Sequence, residues 1–426
     1  MTDDLMKSSG SGDAGNSTHA DEQRLYPKVR FRGFDEPWKK VKLGEISEKI
    51  TQKNNNSCSQ FPVLTNSAEY GIVYQKDFFD KNIAINTDNY YVVHTEDFVY
   101  NPRISKQAPY GPIRVNHLKT GVMSPLYYIF KIKDDFNIGF FEFLFIGNKW
   151  HKFMYQNGDS GARSDRYAIK DKVFNKLPIY IPQKIEEQKL IFEINHKINS
   201  LLYLQHRKME LENQTSKAIY NYLFDKNKPF YFKDNKTKKV FLKELGTTYS
   251  GLSGKNKTDF GHGKAKYITY LNVNKNTIAN HNLLDLIEID KKQNEVLNGD
   301  ILFTISSETP EEVGLASLWP YDDTNIYLNS FCFGFRPNSK INNLWLAYEL
   351  RSLKIRKNMY KLAQGISRYN LSKKSVLNLQ VDVPSDAEQN FDSKFVKLIN
   401  IQTKFLSNER NELLLLKKFL LQNLFI

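Results

Sequence analysis

Cysteine is nearly absent: Cys58 and Cys332 are the two in 426 residues, and no CxxC occurs. This rules against a disulfide framework and a cysteine-based zinc site, and it fits a reducing cytosol. The eight histidines are dispersed, with no pair at zinc-ligand spacing near a third ligand. Long hydrophobic runs are missing too. The strongest, Ile138–Ile146, is too short to span a bilayer and carries Glu142 at its centre, so it is expected to be a buried element. The amino-terminal stretch is rich in Asp, Ser and Gly and lacks the apolar segment of a signal peptide. Residues 1–25 read as a disordered leader. Gly10, Gly12 and Gly15 match GxGxxG there, but no strand precedes them, so they do not mark a dinucleotide site.

Catalytic signatures are equally scarce. Asp285, Asp290 and Lys292 loosely imitate a magnesium-dependent nuclease cluster but are too compressed. Asn101-Pro102 resembles the start of an adenine-methyltransferase site, yet Arg103 stands where a second proline belongs and no glycine-rich cofactor loop accompanies it. Residues 251–257 are Gly/Lys-rich without P-loop spacing. No nucleophile–base pair emerges, so no catalytic residue and no metal ligand is assigned.

Positive charge is abundant: 61 Lys and Arg against 47 Asp and Glu give a formal +14. Charge of that size speaks to partners rather than fold, and phosphate neutralisation makes nucleic acid the first candidate. The bland alternative is a lysine-rich proteome. Hydrophobic residues make up 40 % and aromatics 13 %, enough for real cores and suited to β-rich or mixed domains.

The chain also states most of its pattern twice. The run 39–46, KKVKLGEI, returns at 238–245 as KKVFLKEL. Asp97-Phe98-Val99-Tyr100 returns as Asp300-Ile301-Leu302-Phe303, and Gly161, Arg163 and Tyr167 are matched with Gly365, Arg368 and Tyr369. Leu177, Ile179, Ile181 and Pro182 return as Leu379, Val381, Val383 and Pro384, Glu187-Gln188 as Glu388-Gln389, and Leu223-Phe224 as Leu424-Phe425. The order is constant and the offset stays at about 200 residues, too long for a solenoid unit and right for a duplicated domain.

Each copy has two parts. The first holds short apolar stretches, such as 90–93, 98–100, 126–131, 266–271, 301–305 and 331–335, read as strands, with helices expected over 140–155 and 344–362. After Pro182 and Pro384, about 40 residues run without proline or glycine, which predicts a helix roughly 60 Å long. Ile194, Ile198 and Leu201 in the first helix and Phe395, Ile399, Leu406, Leu413, Leu416 and Leu420 in the second follow the alternating 4–3 spacing of a coiled coil. The expected fold is α+β: two tandem domains, 26–182 and 226–384, each followed by a long helix, 183–225 and 385–426, with the helices pairing antiparallel. The lysine-rich stretch 226–243 reads as a solvated linker. Paired this way, the helices would act as a rod that sets the distance between two unlike half-sites on one duplex.

Val29-Arg30-Phe31-Arg32-Gly33-Phe34, Trp38 and Lys42-Leu43-Gly44-Glu45-Ile46 resemble the start of type I restriction–modification specificity (S) subunits. So do Ile181-Pro182 with Glu186-Glu187-Gln188 and the closing Leu223-Phe224. Residues 97–105, 121–126 and 158–163 resemble one class of target-recognition domain. The likeness spans about residue 27 to the end. It is looser in the second copy, where Pro384-Ser385-Asp386-Ala387-Glu388-Gln389 departs from the helix-start motif. It implies a non-catalytic subunit with two target-recognition domains, which binds a bipartite, asymmetric site on double-stranded DNA. Its helices would dock two modification (methyltransferase) subunits, with restriction (translocase and nuclease) subunits completing a cytoplasmic complex. S-adenosylmethionine, ATP and Mg would sit on those partners, and none on this chain.

Bases are read by Arg, Lys, Asn and Gln from loops, while other basic groups grip phosphate. The candidates in the first copy are Arg103, Lys106, Gln107, Tyr110 and Arg114, and in a second loop Asn157, Arg163, Ser164 and Arg166. In the second copy they are Lys255, Asn256, Lys257, His262, Lys264 and Lys266, then Ser306, Ser307, Arg368 and Tyr369. For each, the plain alternative is a solvated surface residue. A coiled-coil scaffold whose domains bind protein is the rival function; steep salt dependence of binding would separate the two.

Overall fold

The strand Lys39–Lys42 runs into one helical turn, Leu43–Ile46, and a second strand, Ser47–Lys49; its copy is Lys238–Phe241, Leu242–Leu245 and Gly246–Ser250. The computed structural model describes residues 6–8, 25–55, 61–80, 86–160, 165–224, 237–338 and 341–426. The repeated motif has a structural reason. Each first strand pairs antiparallel with the strand before the closing proline, Val41 facing Ile179 and Val240 facing Val381. Ile179 and Ile181 are buried and their neighbours less so, the alternation expected of a half-covered strand.

Each second strand opens a four-stranded antiparallel sheet of identical order. In the first copy it runs Ser47–Lys49, Tyr128–Ile132, Phe98–Tyr100, Ile113–Val115. In the second it runs Gly246–Ser250, Cys332–Pro337, Ile301–Thr304, Ala316–Leu318. Stacked rings hold both cores: Phe98 on Phe130 at 5.4 Å, and Phe303 on Phe333 at 5.0 Å. Burying each such ring contributes about 1.5–3 kcal/mol.

The two expected single helices are two pairs: Ile138–Ile146 with His151–Asn157, and Asn343–Leu350 with Leu353–Leu362. The Gly147 N–H closes on the Phe143 carbonyl and ends one helix, while the Ser352 hydroxyl caps Ile355 and starts another. Ile138–Ile146 is the buried element its composition foretold. The stretch 266–271 is a strand only to Ile268, because Thr269 caps a helix, Tyr270–Lys275. In the leader, Met6–Ser8 pair with Val29–Phe31 rather than lying without structure; the rest of 1–24, and Cys58, lie outside the described residues.

The long helices span Ile185–Leu223 and Asp386–Asn423. Their starts explain the repeated Glu-Gln. Gln188 accepts the Asn137 N–H and donates to the Pro182 carbonyl; Gln389 does the same with Asn342 and Pro384. Glu187 is buried, gripped by Arg30 at 2.7 and 2.8 Å and by the Trp38 indole at 3.2 Å.

The chain divides into two compact units, Met1–His206 with Asn408–Ile426, and Arg207–Ser407, so each unit takes half of both long helices. Antiparallel pairing is the reason. In the first unit Ile191 and Ile198 share a core with Leu420, Leu424 and Phe425, and Gln205 donates to Glu409 at 3.0 Å. In the second, Gln402 donates to Glu212 at 3.3 Å, and Leu223 and Phe224 share a core with Val396.

The seam is shifted from the expected one at alternate positions. Ile198, Leu406 and Leu420 are buried on it, and Ile194, Ile399 and Leu413 are partly covered. Leu201, Phe395 and Leu416 face outward, and Leu202, Val396 and Lys417 take their places. Both helices carry apolar residues on either side of the stripe, so spacing alone did not choose between a step of three and a step of four.

Candidate nucleic-acid interface

In the first unit the strand Phe98–Tyr100 delivers the chain to a loop held from within. The Asn101 side chain donates to the Asn66 carbonyl and accepts from the Arg103 N–H, and Tyr100 donates its hydroxyl to the Tyr110 carbonyl. Gly111, at φ +82°, passes so close to the Asn101 carbonyl that a side chain there would collide with it. The two loops proposed separately from sequence form one surface. Arg103 bridges Arg166, the Ile104 N–H donates to the Asp165 carbonyl, and the Tyr167 N–H donates to the Pro102 carbonyl. The Asp165 carboxylate lies 3.9 Å from both guanidinium groups and moderates their repulsion.

Arg103, Lys106, Gln107 and Asn157 are exposed and Arg166 is half-buried, though the Asn157 amide donates to the Phe153 carbonyl at 2.9 Å. Arg163 and Ser164 lie outside the described residues. Two candidates point inward. The Tyr110 ring packs 5.1 Å from both His151 and Tyr167, and Arg114 is spent on the Ile113 and Ala68 carbonyls, with burial lowering its pKa. Beside this surface opens a cleft of about 880 Å³ lined in part by Pro102, Leu126, Asn157, Arg166 and Tyr167, with Lys49 and Lys170 at the same wall. Sequence reasoning missed those two lysines, because they come from a distant strand and the segment after the second loop.

In the second unit Phe260–Ile268 forms a three-stranded sheet with Leu284–Ile287 and Ile326–Leu328. Lys264 and Lys266 stand exposed on one face of it, either side of buried Ala265. Lys257 is exposed as well, and Asn256 caps the turn at Thr258. Lys255 is committed to Asp290 at 2.8 Å, and that bond drives the Asp290 carboxyl down to about 2. Asp285 accepts from Tyr267, so the acidic residues weighed as a nuclease cluster are engaged separately. His262 contacts the Thr258 carbonyl and Glu288, which raise its pKa in that order.

Ser306 and Ser307 are buried, and Ser307 donates to Glu312, which removes both hydroxyls from direct contact with a base. They pair with Asn370 and Tyr369, and the Leu371 N–H donates to the Ile305 carbonyl. This ladder is the counterpart of Arg103 with Arg166. Tyr167 therefore corresponds to Leu371, whose backbone bond is the same, and not to Tyr369 as the sequence pairing had it. Arg368 lies 5.3 Å over the Phe331 ring. Among the described residues no group of His, Cys, Asp or Glu could hold a metal ion, and no helix is long and apolar enough to cross a membrane.

Residues 234–415 match the family described as Type I restriction modification DNA specificity domain. Over those residues the chain is similar to the DNA specificity domain of type I restriction–modification systems. Its fold agrees over nearly the whole length. The S subunit of a type I restriction–modification system from M. genitalium matches at 14 % identity and TM-score 0.55, over 94 % of this chain and 99 % of that one. The HsdS subunit from Thermoanaerobacter tengcongensis matches at 14 % identity and TM-score 0.52, over 92 % and 97 %. A chain from a type I R-M system studied for complex assembly and conformational transition matches at 12 % identity and TM-score 0.57, over 91 % and 97 %. No curated protein sequence matches. The specificity-domain match falls entirely within the second copy, and the first copy shares its sheet order and helix-start bonds.

Proposed function

We propose that this specificity subunit reads two unlike halves of one gapped site on double-stranded DNA, one half with each unit. The observation that carries this reading is that one frame is built twice with different side chains at the same place: Arg103 beside Arg166 in one copy, Ser306 beside Asn370 in the other. A guanidinium can donate two bonds to guanine, whereas a buried serine cannot, so the halves would differ in sequence. The exposed basic residues of both units supply the phosphate grip.

Partners follow from the helices. Leu201, Leu204 and Leu415 in the first unit, and Phe391, Phe395 and Phe405 in the second, leave large apolar side chains exposed beside the seam. We assign these faces to two modification (methyltransferase) subunits, with restriction subunits joining the full complex. Adenine methylation and cleavage then belong to those partners, which would carry S-adenosylmethionine, ATP and Mg; this chain supplies no catalytic group. We assign the complex to the cytoplasm.

The test is to co-express the chain with its modification subunit and map methylated adenines by long-read sequencing. A gapped motif with two unlike halves, lost when this chain is omitted, is expected. A continuous motif, or methylation unchanged without the chain, would overturn the reading.

A further inference from the structure

The segment after Leu353–Leu362 in the second unit closes into a short hairpin that presents an apolar side chain to water. Gln364 and Asn370 exchange backbone hydrogen bonds of 2.9 and 2.8 Å, which leaves 365–369 as the tip. Below it, Tyr369 and Asn370 pair with Ser307 and Ser306. Gly365 is held at φ +136°, and a Cβ there would lie 2.0 Å from the Arg368 carbonyl oxygen, so the tip depends on glycine. Ile366 is 96 % exposed on this braced tip. Its neighbour Arg368 rests on Phe331, itself half exposed, and this contact directs a positive charge alongside the isoleucine.

A lone apolar tip between Gln364, Arg368 and Asn370 offers far too little area for a protein partner. It matches another device. Isoleucine is among the side chains that DNA-binding proteins drive between base steps, unstacking them while nearby arginines hold the flanking phosphates. We infer that Ile366 is a wedge that enters and unstacks one base step of the DNA held by the second unit, with Arg368 gripping the adjacent backbone. The wedge would add a deformation term to specificity at a step that no polar side chain reads. This inference rests on the reading that the second unit binds DNA.

The experiment uses the full chain in complex with its modification subunits and a duplex carrying the motif mapped by methylation. Fluorescent analogues, 2-aminopurine for adenine and pyrrolocytosine for cytosine, replace each base in turn. A several-fold rise in fluorescence is expected at one step away from the methylated adenines, lost in Ile366→Ser and kept in Ile366→Phe. The signal at a methylated adenine should be the same in all three proteins. No rise elsewhere, or a rise that survives Ile366→Ser, overturns the wedge while binding and methylation stand. Absence of a bound gapped motif overturns the DNA reading together with it.

Discussion

Asp97 and Asp300 occupy the same turn in the two copies and are compensated differently. Each accepts the N–H three residues back, from His94 in one copy and Leu297 in the other, and each is almost fully buried. Asp300 also accepts two bonds from Arg336, at 2.9 and 2.8 Å, and one from the Tyr249 hydroxyl at 2.7 Å. The strand register places Lys131 where the second copy has Arg336, since Phe130 faces Phe98 as Phe335 faces Ile301. Lys131, however, bonds Asp134 instead. Ile50 holds the place of Tyr249, whose ring lies across Gly334 in the second copy. The duplicated frame thus keeps the backbone bond that closes the turn, while a cation hydrogen-bonded to the carboxylate is present in one copy only.

The largest effect expected from this difference is on Asp300. Replacing it with Asn removes the charge that Arg336 and Tyr249 surround. Breaking such a pair should cost about 3 kcal/mol, the low end of the range because Arg336 is partly exposed. Urea unfolding of the full chain, monitored in the second unit, measures it. A loss no larger than that of Asp97→Asn would end the comparison.

Asp97 should behave in the opposite sense and show it through pH. Burial is the main cause that raises its carboxyl from 3.8 to about 6, against a smaller opposing bond from the His94 N–H. The folded state therefore keeps this proton to higher pH than the unfolded chain does. Stability of the first unit falls as pH rises from about 4 to 6, then stays level as far as this group is concerned. Asn keeps an acceptor without the buried charge. Asp97→Asn should stabilise the first unit by about 2 kcal/mol at pH 7, after discounting for solvent screening, and by nothing near pH 4. Equal effects at both values would show that desolvation is not what raises the carboxyl.

The duplication, the sheet strands and both long helices were legible because repeated apolar patterns and the absence of Pro and Gly are local signals. The seam register was half legible: the sevenfold recurrence of Ile399, Leu406, Leu413 and Leu420 is unambiguous, while Phe395 and Leu416 outweigh Val396 and Lys417 in hydrophobicity and still lie outside. Among the proposed readers, exposure separates Arg103 and Lys264 from Tyr110, Arg114, Ser306 and Ser307. Residue type could not do so, since Arg114 is as good a donor as Arg103 until the carbonyls of Ile113 and Ala68 claim it. The match of Tyr167 with Leu371 was hidden for a similar reason: the equivalence lies in a backbone bond, and side-chain similarity pointed two residues away.

The smallest expected effect lies in the residue that precedes each aspartate. Glu96 sits at φ +71° and Gly299 at φ +90°, so both copies make the turn through the left-handed region. A side chain with a Cβ is strained there and glycine is not. Glu96→Gly should relieve that strain and stabilise the first unit by about 1 kcal/mol, less the extra entropy that glycine gives the unfolded chain. The reverse exchange is not symmetric. A Cβ at residue 299 would lie 2.6 Å from the Asn343 amide nitrogen, so Gly299→Ala adds a displacement of that side chain to the backbone strain and should cost at least what Glu96→Gly gains. Thermal unfolding of the two variants beside the parent chain checks both signs. If Glu96→Gly proved destabilising, the Glu96 side chain would have to hold the turn by a contact that outweighs its strained backbone, and the first copy would be adapted at this turn rather than merely less well compensated.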